Sequence, residues 1–329
     1  MRRIVVASSL TGVLLVGALL CFVFRTSLSD LAEGFFYHPS QAVVSIESRT
    51  GMTNTGKRVF HATSPEVVGS EDFNRACPRQ EVGSPIVGCY TPNDAIYIYD
   101  VTAPKLDGIK DVTAAHELLH AVWNRMSGVE RDRIGEELEA VYGTLHDEKL
   151  SERMAYYDRT EKGQRLNELH SIIGTEVASL SPELEQHYAR YFNRAKVLGL
   201  HSQYQSQYDT LEKRSNDLES QMKTLSDQIE ADSKVYAAGV QTIEADIKVF
   251  NRKAQSGVFQ TQSQFYSQRS VLMSRINALN NDRAAVNQKV VQYNTLLEEY
   301  NQVASRIQTL NTSLDSMKEL DSPSAADSL

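Results

Sequence analysis

The chain has 329 residues and a formal charge of −8, from 34 Lys+Arg against 42 Asp+Glu. With 41 % hydrophobic and 23 % charged residues it sits near ordinary soluble proteins, which excludes collagen-like and wholly disordered chains. The acidic balance argues against a nucleic-acid partner, and three cysteines are too few for a disulfide-built mini-domain.

These averages conceal unlike parts. Residues 1–25 form the first. Arg2 and Arg3 precede an uncharged apolar run from Ile4 to Phe24, closed by Arg25. At about 1.5 Å per residue this run matches a hydrocarbon core of about 30 Å. It has no Ala-x-Ala exit of the kind a cleaved signal peptide carries. The expectation is an uncleaved transmembrane signal anchor, with the N-terminus cytoplasmic and the rest extracytoplasmic. Cys21 reads as a residue within that helix, because Leu20 fits a lipobox poorly.

Residues 26–198 form the second part. Six of the eight prolines fall between Pro39 and Pro104, and none between Glu183 and Ser322. Since proline is excluded from helix interiors, the early region is expected to be turn-rich with strands and the remainder helical. Cys77 and Cys89 flank a Pro- and Gly-containing loop. In an oxidising compartment they suit a disulfide, and in a reducing one two unpaired thiols. Ala95-Ile96-Tyr97-Ile98-Tyr99 is rich in β-formers and bounded by Pro92-Asn93-Asp94 and Pro104, so a short strand is expected there. At the lip of a cleft such a strand could take up an extended peptide by strand addition.

His116-Glu117-Leu118-Leu119-His120 is the strongest chemical signal. On a helix, positions i and i+4 share a face, so both imidazoles can reach one metal ion, with the glutamate placed to deprotonate a water. No Pro or Gly interrupts Val112 to Ser127. With the strand before it, this motif resembles the zincin metallopeptidases over about residues 40–195. The resemblance implies an α+β fold, with a small mixed sheet over the motif helix. It also implies zinc-dependent peptide hydrolysis, with Glu117 as the general base.

A catalytic zinc site needs a third protein ligand. Glu168, in Asn167-Glu168-Leu169-His170-Ser171, resembles the Asn-Glu-x-x-Ser ligand helix of the gluzincins, although Ile172 stands where that pattern has Asp. Its spacing of 48 residues from His120 exceeds that of the thermolysin-like enzymes and is nearer to the lethal-factor-like domains. Glu176 competes with it, as does the cluster Glu136, Glu137 and Glu139. His170, two residues past Glu168, should point elsewhere on a regular helix. His187, Tyr188 and Tyr191 are open to an oxyanion-donor or a packing role, and Tyr156-Tyr157 shares that ambiguity. A metzincin reading fails because position 126 is Met.

Residues 199–318 form the third part, with a polar tail at 319–329 expected to be disordered. Tyr204, Tyr208, Leu211, Leu218, Met222, Leu225 and Ile229 recur by threes, fours and sevens. Tyr236 to Phe250 continues the pattern after a slip near Gly239, and Leu272 to Leu310 repeats it. This a/d seam predicts two long helices, reversed near Ser256-Gly257 into an antiparallel coiled-coil hairpin, or one interrupted helix that dimerises in trans. The combined expectation is a membrane-anchored zinc metalloprotease. It is held by its N-terminal helix, acts on a peptide or protein substrate, and has His116, His120 and Glu168 as metal ligands. Its coiled coil is available for a partner or for self-association. The alternative is an interaction protein whose zinc domain is an inactive scaffold.

Overall fold

The computed structural model describes residues 36–78, 86–160 and 163–317. The apolar segment 1–25 and the tail 319–329 lie outside the described residues. Among the described residues no helix is long and apolar enough to cross a membrane.

The protein is mostly helical, with one small sheet. In chain order the elements are α1 (Gln41–Thr50), α2 (Asn54–Ala62), β1 (Glu66–Val68), α3 (Ser70–Ala76), β2 (Gly88–Tyr90) and β3 (Ile96–Tyr99). A 3-10 turn (Pro104–Leu106) leads to α4 (Ile109–Arg125), α5 (Gly128–Tyr142), α6 (Glu148–Thr160), α7 (Arg165–Glu176) and α8 (Pro182–Ala189). Two long helices follow, α9 (Arg194–Gln255) and α10 (Gln262–Leu314).

The early region is more helical than its prolines predict. Three helices occupy it, because the prolines stand between elements rather than inside strands. Pro39 precedes Ser40, whose side chain caps α1 by accepting from the Val43 amide. Pro92 lies in the β2–β3 turn, and Pro104 opens the 3-10 turn.

The sheet is mixed, in the order β1-β3-β2, with β1 parallel and β2 antiparallel to β3. The expected strand at 95–99 forms as β3, but both its edges are occupied. The edge strands are β1 and β2, and of these β2 lines the cleft, so strand addition there has to be reassigned from β3 to β2. The β2–β3 turn is fastened to the end of α4: both terminal nitrogens of the Arg125 guanidinium donate to Asp94, at 2.7 and 2.9 Å, and Asp94 also accepts from the Tyr90 hydroxyl. Cys77 and Cys89 are joined in a disulfide that ties the end of α3 to β2.

The chain divides into two compact units, residues 1–207 with 309–329, and residues 208–308. In the first, α4 is the central element. Ala114, Ala115, Leu118, Leu119, Ala121 and Val122 are all buried, and the helix packs most extensively on α7. The segment after α10 returns to this unit, where buried Ser316 exchanges two hydrogen bonds with Asn74 on α3.

In the second unit, ion pairs join α9 to α10 as Arg214–Glu299, Asp232–Lys289 and Asp246–Arg275, so the partner number falls as the chain advances. The two helices therefore run antiparallel. The reversal falls where Ser256-Gly257 predicts it, with Gly257 at φ 66°. Gly239 does not break α9. A Cβ there would lie 2.7 Å from Leu279, so the glycine marks a close approach of the two helices. Only part of the seam is sealed: Leu218 and Ile243 are buried, whereas Val290 and Leu297 are exposed.

The α4–α7 contact depends on Gly174, where a Cβ would lie 2.6 Å from both Leu119 and Tyr188. Gly174→Val is expected to lower folding stability by about 1–3 kcal/mol through overpacking, read as a drop in thermal midpoint. An unchanged midpoint would show that the two helices have slack at this point.

Candidate metal centre

The α4 helix has two chemical faces. Its apolar residues enter the core, while Thr113, His116, Glu117, His120 and Asn124 line a cleft of about 1080 Å³. The helical period puts His116 and His120 one turn apart on that side, with ring centroids 4.9 Å from each other. From α7, Glu168 reaches between them: its carboxylate oxygens lie 3.9 Å from His116 Nε2 and 3.7 Å from His120 Nε2. One ligand atom from each of the three lies within 4.8 Å of the others, and this set could hold a metal ion. A tetrahedral ion with bonds of about 2.0–2.1 Å keeps its donors about 3.3 Å apart, so the two His–Glu distances need to close by about half an ångström and the widest pair by about 1.5 Å.

The protonation states suit a cation. Burial, with help from His120, holds His116 well below the ordinary imidazole range, so its ring is neutral and offers a lone pair. His120 Nδ1 lies 3.0 Å from the Asn167 side-chain oxygen, and the Asn167 amide group donates to Gln164. That chain of dipoles orients the Asn167 oxygen toward the ring. With Nδ1 held there, His120 turns Nε2 to face Glu168.

Glu117 is buried beside this cluster. Burial, followed by the nearby Glu168 charge, pushes its carboxyl up to about 7, against the lowering effects of His120 and of the Tyr90 backbone amide. A cation beside it would favour the carboxylate and draw that value back down. The backbone of β2 presses close: a Cβ at Gly88 would meet Thr113 at 2.3 Å and the Glu117 carboxylate at 2.9 Å. Only glycine lets the strand approach the carboxylate this closely.

The competing glutamates are placed elsewhere. Glu176 lines the same cleft, but its carboxylate is 2.9 Å from the Arg153 guanidinium. Glu139 pairs with Arg165, Glu137 accepts from the Ser181 hydroxyl, and Glu136 is exposed. Of the aromatic candidates, Tyr156 and Tyr157 line the cleft, together with Arg153. His187, Tyr188 and Tyr191 are buried in packing. His170 is also fully buried, with its Nε2 2.8 Å from His187 Nε2 and its carbonyl accepting from the Tyr188 hydroxyl. Desolvation keeps both of these imidazoles neutral, holding His187 down at about 4.

Three contributors are not read from the motif alone: the bond from Asn167 to His120, the Gly88–Tyr90 edge beside Glu117, and Arg153. Asn167 carried a local signal, as the residue before Glu168. The other two depend on tertiary placement. Compared with profiles of known families, with curated proteins and with solved structures, the chain finds no match.

The donor set is checked by metal content. Glu168→Ala is expected to lose stoichiometric zinc while Glu176→Ala keeps it, and Asn167→Ala is expected to weaken zinc about 10–100-fold. Atomic absorption on dialysed protein and competition with a chromogenic chelator measure both effects. Full zinc occupancy in Glu168→Ala would remove Glu168 from the set.

Proposed function

We propose that this chain is a zinc-dependent metallopeptidase, with His116, His120 and Glu168 as ligands and Glu117 as general base. One observation carries the reading: two helices bring two imidazoles and a carboxylate to one point in an open cleft, with a second, buried carboxylate alongside. Zinc, when bound, supplies Lewis-acid polarisation of a carbonyl and a nucleophile from water at neutral pH.

The remaining work falls to side chains and backbone. Glu117 takes a proton from water and returns it to the leaving amine, an exchange best served by a group whose affinity for protons is near the working pH. The β2 edge supplies a template for an extended peptide. The Tyr99 amide donates to Val87 and the Thr91 amide to the Ala95 carbonyl, so the odd-numbered residues of this strand face β3. The polar backbone groups of Gly88 and Tyr90 therefore turn to the open side. The Tyr90 amide is committed to Glu117, which leaves Gly88 to pair with substrate. Tyr156, Tyr157 and Arg153 are the cleft residues with donors suited to a developing oxyanion.

The reading places the enzyme on a membrane through its apolar segment 4–24, with this unit outside the cytoplasm. The Cys77–Cys89 bridge supports an oxidising compartment. The long helices α9 and α10 serve to position the enzyme or to recruit a partner.

Glu117→Gln tests the proposal. With a library of unstructured peptides read by mass spectrometry, turnover is expected to fall about 10²–10⁴-fold, while zinc content stays at the wild-type level. A wild-type protein that binds no metal, or a Glu117→Gln variant with undiminished cleavage, would overturn it.

A further inference from the structure

The reversal between α9 and α10 differs in chemistry from the rest of its unit. Residues 247–281 contain no Asp or Glu and carry Lys248, Arg252, Lys253, Arg269 and Arg275. The flanking stretches of the same unit, 208–246 and 282–308, hold twelve acidic residues against seven basic ones. The chain as a whole is at −8, so this tip is a local reversal of sign. Arg275 pairs with Asp246. Among the described residues, Lys248, Arg252, Lys253 and Arg269 have no ion pair.

The apex is apolar as well as basic. Phe250, Phe259 and Phe265 meet one another at centroid distances of 5.3–5.6 Å and close the end of the helix pair. A structural cap accounts for those three rings. It does not account for Val258, in the turn itself and 57 % exposed, for Tyr266 at 53 %, or for exposed Val249. Nor does a cap require the acid-free stretch. Lys248 lies seven residues before the end of α9, and Arg269 seven after the start of α10, each about 11 Å along its helix. Arg252 and Lys253 are closer to the apex. Apolar groups at the point and four cations within two turns behind it match the layering of a bilayer interface, where apolar side chains enter by about 5–10 Å and cations stay among the headgroups.

We infer that the tip formed by Lys248 to Arg269 docks on phospholipid surfaces that carry anionic headgroups. A folded nucleic acid or other polyanion would satisfy the cations but would leave Val258, Val249 and Tyr266 in water. The bilayer satisfies both.

The test uses the full chain and a readout confined to the tip, so that attachment through the N-terminal segment does not register. The chain has one tryptophan, Trp123, which is buried in the other unit and gives a constant background. The indole introduced by Val258→Trp is then followed in vesicles with brominated acyl chains. Quenching is expected with about one-third phosphatidylglycerol, and roughly tenfold weaker partitioning once K248Q, R252Q, K253Q and R269Q are added, with unchanged helical circular dichroism. Three results would overturn the inference: no quenching although the protein sediments with anionic vesicles, equal quenching in pure phosphatidylcholine, or retention of the quadruple variant at wild-type strength. If instead double-stranded DNA alters the indole emission while anionic vesicles do not, the surface belongs to a polyanion and the lipid assignment falls.

Discussion

The seating of α4 on α7 is the constraint on which the rest of the site depends. His116 and His120 are fixed relative to each other by helix geometry alone, but Glu168 is 48 residues beyond His120 in the chain. It reaches them only because Leu119, Leu169, Ile172, Ile173 and Tyr188 close around Gly174, all of them at most 1 % exposed. Burying each such side chain contributes about 1.5–3 kcal/mol. That apolar gain offsets the cost of withdrawing Glu117, Asn167 and Glu168 from water, a cost that a smaller interface would not cover. The cleft chemistry is therefore held up chiefly by a hydrophobic contact, to which the His120–Asn167 bond adds a polar tie.

The same region holds a second histidine pair, and comparing the two shows what distinguishes a candidate ligand from a packed residue. His170 and His187 are closer to each other than His116 and His120 are to Glu168. Yet they are enclosed by Trp123, Tyr188 and Tyr191, and both are held neutral by desolvation. Sealed in that way, they share one hydrogen bond and have no open face. His116 and His120 border a cleft and look onto a carboxylate. Access and a negative partner, rather than mutual proximity, separate the two pairs. Both properties come from tertiary structure.

This also marks how far the sequence could be read. The i, i+4 spacing of the motif histidines, the helix that carries them, the strand at 96–99, the cysteine pair and the reversal at Gly257 are all local signals, and each is found where its pattern puts it. The preference for Glu168 over Glu176 also had a local basis, the likeness of Asn167-Glu168-Leu169-His170-Ser171 to an Asn-Glu-x-x-Ser pattern. The tertiary pairing of Arg153 with Glu176 then accounts for the other carboxylate. Two features were not legible. The helices α1 to α3 do not emerge from proline content, because the described prolines stand between elements or at their first residue rather than inside them. The sheet order β1-β3-β2 puts β2 rather than β3 at the edge beside the cleft, and strand order is a non-local property. The charge reversal at the α9–α10 tip is averaged away in the net value of −8; the acid-free run 247–281 is local, and the hairpin brings Lys248 and Arg269 to the same end.

The open edge also shows how a weak element is made dependable. β2 is three residues long and bonded on one side only, so it is short of what a strand needs to hold its place unaided. Its position nonetheless matters, since the Tyr90 amide and the Gly88 backbone both abut Glu117. Two ties fix it from outside the sheet. Cys89, between those two residues, is bonded to Cys77 at the end of α3, and Tyr90 and Asp94 are bound through Arg125 to the last turn of α4. A loop of this size closed by a disulfide contributes about 3 kcal/mol by restricting the unfolded chain. The Arg125 tie starts from the same helix that carries His116, Glu117 and His120. The strand is thus referenced to the motif helix at one end and covalently to the body of the unit in its middle, and any movement of α4 carries the edge of the cleft with it.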